Sequence, residues 1–292
     1  MVISALLLSG GCSSHGNYEA LQESLNEYVE GKDANIGVAV IIDGVDTVAV
    51  NGHKKYPMLS VYKFPIALAL ADHYRKNNMP YDSPIAVLPA DLHQDTYSPM
   101  TEKILASGKL HADTLMMPAG ELLEYMLQQS DNNASDIVLK SVGGADYVER
   151  YLKRIGMIDI HVRSSEAEMY ADTSLCYDNS STPICMASLI DKFDMDYNDY
   201  ISVGIKQLME TCETGTNRLA KPLRNAEIGH KTGTGFTLSN GRLMAVNDAG
   251  YVHLPDGHRY AIAVFIENSG YDMTHTEELI ADISEIVMSH VK

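Results

Sequence analysis

Basic residues are scarce in this chain: 22 Lys and Arg stand against 39 Asp and Glu in 292 residues, a formal net charge of −17. A polyanion would be repelled by that field, so nucleic acid is a poor partner, and a small anionic ligand would need its own local Lys and Arg. Cysteine is scarce too, limited to Cys12, Cys176, Cys185 and Cys212. There is no CxxC, and the eleven His residues lack a ligating spacing such as HExxH, so no metal site is expected. The odd number beyond Cys12 excludes a fully paired framework among Cys176, Cys185 and Cys212. No apolar run reaches the ~20 residues that span a bilayer. No internal repeat or low-complexity stretch stands out.

What is present fits a soluble globular enzyme: 45% apolar and 21% charged residues, in a length that suits one large or two intimately packed domains. Val2 to Leu8 is a short apolar run followed by Ser9-Gly10-Gly11-Cys12. It reads as the end of a secretory signal, which places the mature protein in the periplasm, with residues 1–17 as leader and tether. Cys12 behind small residues resembles a lipoprotein cleavage site. Against lipidation, no Lys or Arg precedes the run, and Ser9 stands where such sites usually carry Leu.

Tyr18 to Val29 has the spacing of an amphipathic helix, with Leu21, Leu25 and Val29 on one face. Ile36 to Ile42 and Thr47 to Val50 read as strands joined through Asp43-Gly44. From Ser60 to about Met195 the signals are mostly helical, including Phe64 to Tyr74, Ala119 to Gln128, Ser135 to Ser141 and Ala145 to Ile155, the last two punctuated by Gly143-Gly144. Strands return at Leu243 to His253 and Tyr260 to Glu267, around the turn Pro255-Asp256-Gly257. Glu277 to Val291 reads as a closing helix. The expected architecture is α+β: an antiparallel sheet built from both termini and flanked by helices, residues 18–59 and 205–292, with an all-helical insertion at 60–204. A cleft would lie where the two parts meet.

Three short segments carry chemistry. Ser60-Val61-Tyr62-Lys63 precedes a helical apolar run, and residues three apart share a helix face. A serine hydroxyl is a weak nucleophile until a base takes its proton, which a neighbouring lysine can do. Ser130-Asp131-Asn132 lies between two helices. There Ser130 can relay a proton to a leaving nitrogen, Asn132 can bind an amide carbonyl, and Asp131 can hold its loop by accepting backbone N–H bonds. Lys231-Thr232-Gly233 opens a strand-like stretch running through Thr234-Gly235. Lys231 and Thr232 can bind a carboxylate, and Gly233 lets a substrate lie close to backbone. Each triplet alone is ordinary; in this order they match the serine penicillin-recognising signature.

With these motifs the chain resembles the class A serine β-lactamases from about residue 18 to its C-terminus, and within them the cephalosporinase-like branch of CfxA and PER types. The narrower likeness rests on Tyr56-Pro57-Met58, the Ser130 to Ser135 run and Asn247-Asp248. Tyr97-Ser98-Pro99-Met100-Thr101-Glu102-Lys103 is similar to the family segment that puts an aromatic, here Tyr97, at the cleft mouth. Glu166-Ala167-Glu168-Met169 resembles the family's Ω-loop, whose first Glu activates the hydrolytic water. The Asn that commonly follows four residues later is replaced by Tyr170, and the loop's usual Arg–Asp clasp is not reproduced in place. Arg163 and Asp178 are candidate substitutes, with a looser loop as the alternative. Thr214-Gly215-Thr216-Asn217-Arg218 resembles the branch segment that carries an Arg beside the carboxylate pocket. Arg218 either assists Lys231 there or is a surface residue on a short helix.

The resemblance implies a two-step cycle without metal or organic cofactor. Ser60 attacks the lactam carbonyl, deprotonated by Lys63 or by Glu166 through water. Backbone N–H groups of Ser60 and Thr234 form the oxyanion hole. Ser130 protonates the ring nitrogen, and Glu166 activates water against the acyl-enzyme. β-Lactam antibiotics, cephalosporins before penicillins, are the expected substrates of a monomeric enzyme. Two rivals share the motifs: a D-alanyl-D-alanine peptidase, which would lack the Ω-loop Glu, and a penicillin-sensing module that stays acylated.

Overall fold

A computed structural model describes residues 18–108 and 114–291. The leader and Cys12 lie outside the described residues. The strands are β1 (Asn35–Ile42), β2 (Asp46–Val50), β3 (Tyr56–Pro57), β4 (Pro84–Val87), β5 (Leu115–Pro118), β6 (Ser180–Ser181), β7 (Glu227–Thr234), β8 (Leu243–His253) and β9 (Arg259–Ser269). The helices are α1 (Glu19–Val29), α2 (Lys63–Lys76), α3 (Pro99–Ser107), α4 (Ala119–Leu127), α5 (Asn132–Ser141), α6 (Ala145–Arg154), α7 (Glu166–Ala171), α8 (Pro183–Asp196), α9 (Tyr200–Glu210) and α10 (Met273–His290).

The main sheet runs β2-β1-β9-β8-β7 and every neighbouring pair is antiparallel. Two of its hairpins sit where the turn chemistry puts them. Asp43 and Gly44 both take the left-handed backbone between β1 and β2. Between β8 and β9, Gly257 (φ 96°) closes the Pro255 turn while Leu254 N–H donates to His258 O at 2.8 Å.

Alternation along the strands divides the sheet's faces. Val38, Val40, Ile42, Ile262, Val264 and Ile266 pack against Leu21 and Leu25 of α1 and Ile280, Ile283 and Val287 of α10. The residues between them, Ala39, Ile41, Ala261, Ala263 and Phe265, belong to the opposite core with Met186, Ala187 and Ile190 of α8. The small alanines on that face leave α8 room to lie across β1, β8 and β9. Because both faces are covered, β1 reads as a nearly unbroken apolar run rather than an alternating one. On the helical side α2 is the central element; Phe64 to Ala71 are all buried, and Phe64 meets Phe193 of α8 edge-on at 5.2 Å.

The central region is not all-helical. β4 and β5 form a short ribbon with Ile85, Val87 and Met117 turned inward, and β3 pairs with β6. The expected boundary at 204/205 falls inside α9, and α8 packs on the sheet. Amphipathic periodicity identifies a helix but not the layer it covers, which is why the sequence placed α8 with the insertion. Helix starts also moved: α5 begins at Asn132, capped by the Asp131 side chain on Ala134 N–H, and α10 at Met273, capped by Asp272 on His275 N–H. No helix among the described residues is long and apolar enough to cross a membrane.

Candidate active site

Ser60 lies in a tight 3₁₀ turn, Leu59–Tyr62, that leads straight into α2. Leu59 has φ 47°, a left-handed conformation that costs a β-carbon-bearing residue roughly 1–2 kcal/mol and needs support from its surroundings. Asn247 of β8 supplies it. Its buried amide donates to Pro57 O at 2.8 Å and Met58 O at 3.0 Å and accepts from Ile266 N–H at 3.2 Å. Strand β7 presses on the same turn at Gly233, where a β-carbon would come within 2.4 Å of Met58 O.

Lys63 is fully buried one turn beyond Ser60. Its ammonium donates to Ser130 O at 2.7 Å and Asn132 Oδ1 at 2.6 Å, and lies 3.0 Å from Glu166 Oε1. The first two are hydrogen bonds; the Glu166 contact is an ion pair, and its Oε1 has no hydrogen-bond partner among the described residues.

Ser130 also has left-handed backbone (φ 62°), which turns its carbonyl to Lys63 while its hydroxyl accepts from Lys231 Nζ at 2.9 Å. Asp131 fixes that turn as expected, accepting from Ala134 N–H, Met100 N–H and Ser98 Oγ, each at 2.8 Å. Burial pushes its carboxyl up, and these donors oppose the shift. Asn132 Nδ2 donates to Thr96 Oγ1 at 2.7 Å. Lys231 is buried at the middle of β7, also donating to Thr232 O at 3.0 Å; desolvation pulls its pKa down to about 7. The Thr232 hydroxyl lies 2.5 Å from that of Thr214.

Glu166 is the first residue of α7. Ser165 caps this helix with Glu168 in reciprocal bonds, Ser165 N–H to Glu168 Oε2 at 2.8 Å and Glu168 N–H to Ser165 Oγ at 3.2 Å. Asp136 of α5 accepts the next two free donors, Glu166 N–H at 2.7 Å and Ala167 N–H at 2.9 Å, and burial pushes its carboxyl up to about 6. The proposed Arg163–Asp178 clasp does not form among the described residues; the Arg163 guanidinium lies 3.3 Å from His161 Nδ1 instead. The clasp is the buried Asn179 amide, which accepts from Arg163 N–H (2.7 Å) and Ser164 N–H (3.0 Å) and donates to Ser164 O (2.8 Å). A neutral amide meets backbone donors and acceptors at once without burying a charge pair.

Two cavities meet at Ser60. One of about 450 Å³ runs to the α7 side, walled by Glu166, Met169, Tyr170, Thr234 and Phe236. The other, about 270 Å³, is walled by Tyr97, Ser130, Thr214 and Thr232. Tyr97 and Tyr170 are both exposed at the rims. The geometry gives a part-exposed hydroxyl, an ammonium–carboxylate pair beside it, a second hydroxyl next to a second ammonium, and polar groups on both flanks. Such a set can perform acyl transfer with proton shuttling.

Arg218 is neither on a helix nor at the surface: it is 3% exposed, in a turn region. Its Nε donates to Glu277 (3.1 Å), its Nη1 to Gly233 O (3.2 Å) and Asn247 O (2.9 Å), and its Nη2 to Thr234 Oγ1 (2.6 Å). It therefore reaches the cavity through Thr234 and ties β7 and β8 to α10. Arg218→Ala is expected to leave Glu277 and two carbonyls unpaired, costing about 3 kcal/mol or more and lowering Tm by roughly 6 °C or more. Calorimetry finding an unchanged Tm would return Arg218 to a purely local role.

Sequence reasoning missed Asp136, Asn179, Thr96 and the bridging role of Asn247. Nothing in their local sequence distinguishes them, because each works by contacting a segment distant in the chain.

A model of the beta-lactamase enzyme family matches residues 19–291. A β-lactamase of Bacteroides uniformis is 33% identical over 271 residues, 91% of this chain and 90% of that one. Beta-lactamase VEB-1 of Pseudomonas aeruginosa is 32% identical over 283 residues, 95% of this chain and 92% of its own length. A crystal structure of a class A β-lactamase from Bacteroides cellulosilyticus superposes with a TM-score of 0.87 at 31% identity, covering 95% of this chain and 99% of that one.

Proposed function

The chain belongs to the β-lactamase enzyme family and is a class A serine β-lactamase; from that premise we propose that it opens the lactam amide through an ester on Ser60. The observation that carries this assignment is the convergence of Lys63, Glu166, Ser130 and Lys231 from four separate segments around that hydroxyl. Hydrolysis of the lactam confers resistance to β-lactam antibiotics.

Ser60 Oγ attacks the lactam carbonyl as its proton leaves. With Lys63 in an ion pair with its carboxylate, Glu166 takes that proton through water, and Lys63 stabilises the developing charge. Ser130 gives its proton to the ring nitrogen and is resupplied with the proton Glu166 took, handed back by way of the Lys63 ammonium beside the Ser130 turn. Glu166 is therefore a carboxylate again once the ester has formed. The Lys231 ammonium, 2.9 Å away, orients the Ser130 hydroxyl and keeps its charge for the substrate. Lys231 and Thr232 bind the substrate carboxylate, and Asn132 binds the side-chain amide. Thr234, steadied by Arg218, and the Ser60 backbone receive the oxyanion. Glu166 finally activates a water against the ester; Tyr170, one turn further along α7, borders that water's side of the cavity. Export to the periplasm as a monomer completes the reading.

Turnover of a chromogenic cephalosporin is the direct test. Ester persisting for hours without product favours the penicillin-sensing module, and release of D-alanine from an acyl-D-alanyl-D-alanine peptide favours the peptidase.

The pH dependence of kcat/KM reports the free enzyme. Burial holds Lys231 near pH 7, so it is protonated below and neutral above. For a carboxylate-bearing substrate kcat/KM is expected to decline as pH rises through about 7, because the neutral amine no longer attracts the anion. An ester-masked substrate should show a flatter limb, and identical profiles would remove Lys231 from carboxylate binding. Preference for cephalosporins is likewise expected from the branch likeness; a higher kcat/KM for a penicillin counts against it.

A further inference from the structure

Behind the wall that holds Lys231 and Thr232 sits a cluster the reaction does not use. His230 precedes Lys231 on β7 and is almost wholly enclosed, with Nδ1 at 2.9 and 3.0 Å from the two Asp248 oxygens on β8. Asp248 also accepts from Leu219 N–H at 3.2 Å, which fixes the carboxylate and so the ring. With Nδ1 committed, the ring's other edge pairs with the Cys212 thiol just beyond the C-terminus of α9. Cys212 Sγ is 3.4 Å from Thr214 Oγ1, which in turn is 2.5 Å from Thr232 Oγ1 in the cavity wall. The thiol is part-exposed and one hydrogen bond from Thr214 in the cavity wall, two from Thr232.

A thiol against an imidazole that a carboxylate orients is the arrangement that activates sulfur as a nucleophile. We propose that Cys212 is a modification site for small-molecule disulfides, and that the adduct disables the carboxylate side of the cleft through Thr214 and Thr232. The Cys212 thiolate attacks one sulfur of the reagent. A Cys212–S bond forms, the reagent's S–S bond breaks, and its electron pair leaves on the second sulfur as a thiolate. The thiol proton leaves to solvent, and His230, held as an imidazolium by Asp248, stabilises the thiolate that remains.

Electrostatics supports the geometry. Burial alone would raise the thiol, but His230 and Lys231 from β7 favour its anion and bring it down to about 7. Burial favours a neutral imidazole, yet Asp248 from β8 outweighs it and pushes His230 up to about 10. Burial raises Cys176 to about 11 and also raises Cys185, so neither competes. Against an ordinary solvated thiol, Cys212 at pH 6 is about 30 times more ionised, and lower basicity returns about fivefold of that, leaving a roughly sixfold advantage.

The test is the reaction of the full chain with 4,4′-dithiodipyridine, followed by thiopyridone release and peptide mapping. A first-reacting thiol that maps to Cys212, with a rate rising through pH about 7, is expected. Cys212→Ser should abolish that phase, and His230→Asn should slow it and move its midpoint upward. The labelled enzyme should lose most of its kcat/KM for a cephalosporin and regain it with dithiothreitol, whereas Cys212→Ser should keep its activity in the reagent. A first phase that maps to another cysteine, that persists in Cys212→Ser, or that labels Cys212 without loss of kcat/KM overturns the proposal. If His230→Asn does not fold, the pH midpoint of the unaltered chain alone decides. The activity arm rests on Lys231 and Thr232 binding the carboxylate; the labelling arm does not, so the two readings fail separately.

Discussion

Glu166→Gln is expected to convert the enzyme into a trap that reacts with a β-lactam at Ser60 and then releases product slower by on the order of a hundred- to ten-thousand-fold. The substitution keeps shape while removing basicity, so the cavity wall and the amide–Asp136 contacts of α7 stay as they are. Its effects on the two half-reactions differ because of Lys63. A glutamine oxygen can still lie against Lys63 Nζ, so Lys63 stays in place beside Ser60 and can serve acylation. Nothing comparable replaces the base on the water side. A stoichiometric burst followed by slow turnover, with the ester visible by intact mass, is the expected record. Steady-state turnover within a few-fold of the unaltered chain would falsify the assignment and leave Tyr170 or another group to place the water.

Ser60→Ala should lose on the order of a million-fold in kcat, the scale seen when a serine hydrolase loses its nucleophile, and should form no adduct with penicillin. The fold should survive, since the turn around Ser60 is held by Asn247, by Val61 N–H on Met58 O at 3.2 Å and by β7 rather than by the hydroxyl. Equal thermal stability alongside absent labelling would separate chemistry from collapse. An adduct of the same mass in the alanine variant would move the nucleophile elsewhere, Ser130 first.

How much of this could be read in the sequence follows from the range of each interaction. Ser60 and Lys63 are helix neighbours, and Ser130 to Asn132 and Lys231 to Gly233 are contiguous, so local pattern located them. The turns at Asp43-Gly44 and Pro255-Gly257 were legible for the same reason. Asn179 contacts Ser164, Asp136 contacts Glu166, and Asn247 contacts Pro57. Those partners come together only after the chain has folded, and Asn or Asp in a sequence is ordinarily a turn or surface residue. Arg218 was the sharpest case. A positively charged side chain suggested either solvent or substrate, and the fold gave it a third destination, two main-chain carbonyls and a glutamate.

The pairing of β1 with β9, in which Val38 meets Val264, also governs when the molecule can exist at all. A ribosome releases β1 early and must deliver nearly all of the remaining chain before its partner emerges. Closing so long a loop costs entropy before any contact rewards it, so this sheet is expected to assemble slowly and only after synthesis is complete. In an unfinished chain the main sheet is thus still incomplete. A message truncated ahead of Arg259 would yield a β1–β2 hairpin with one apolar edge bare, a species headed for aggregation rather than partial activity.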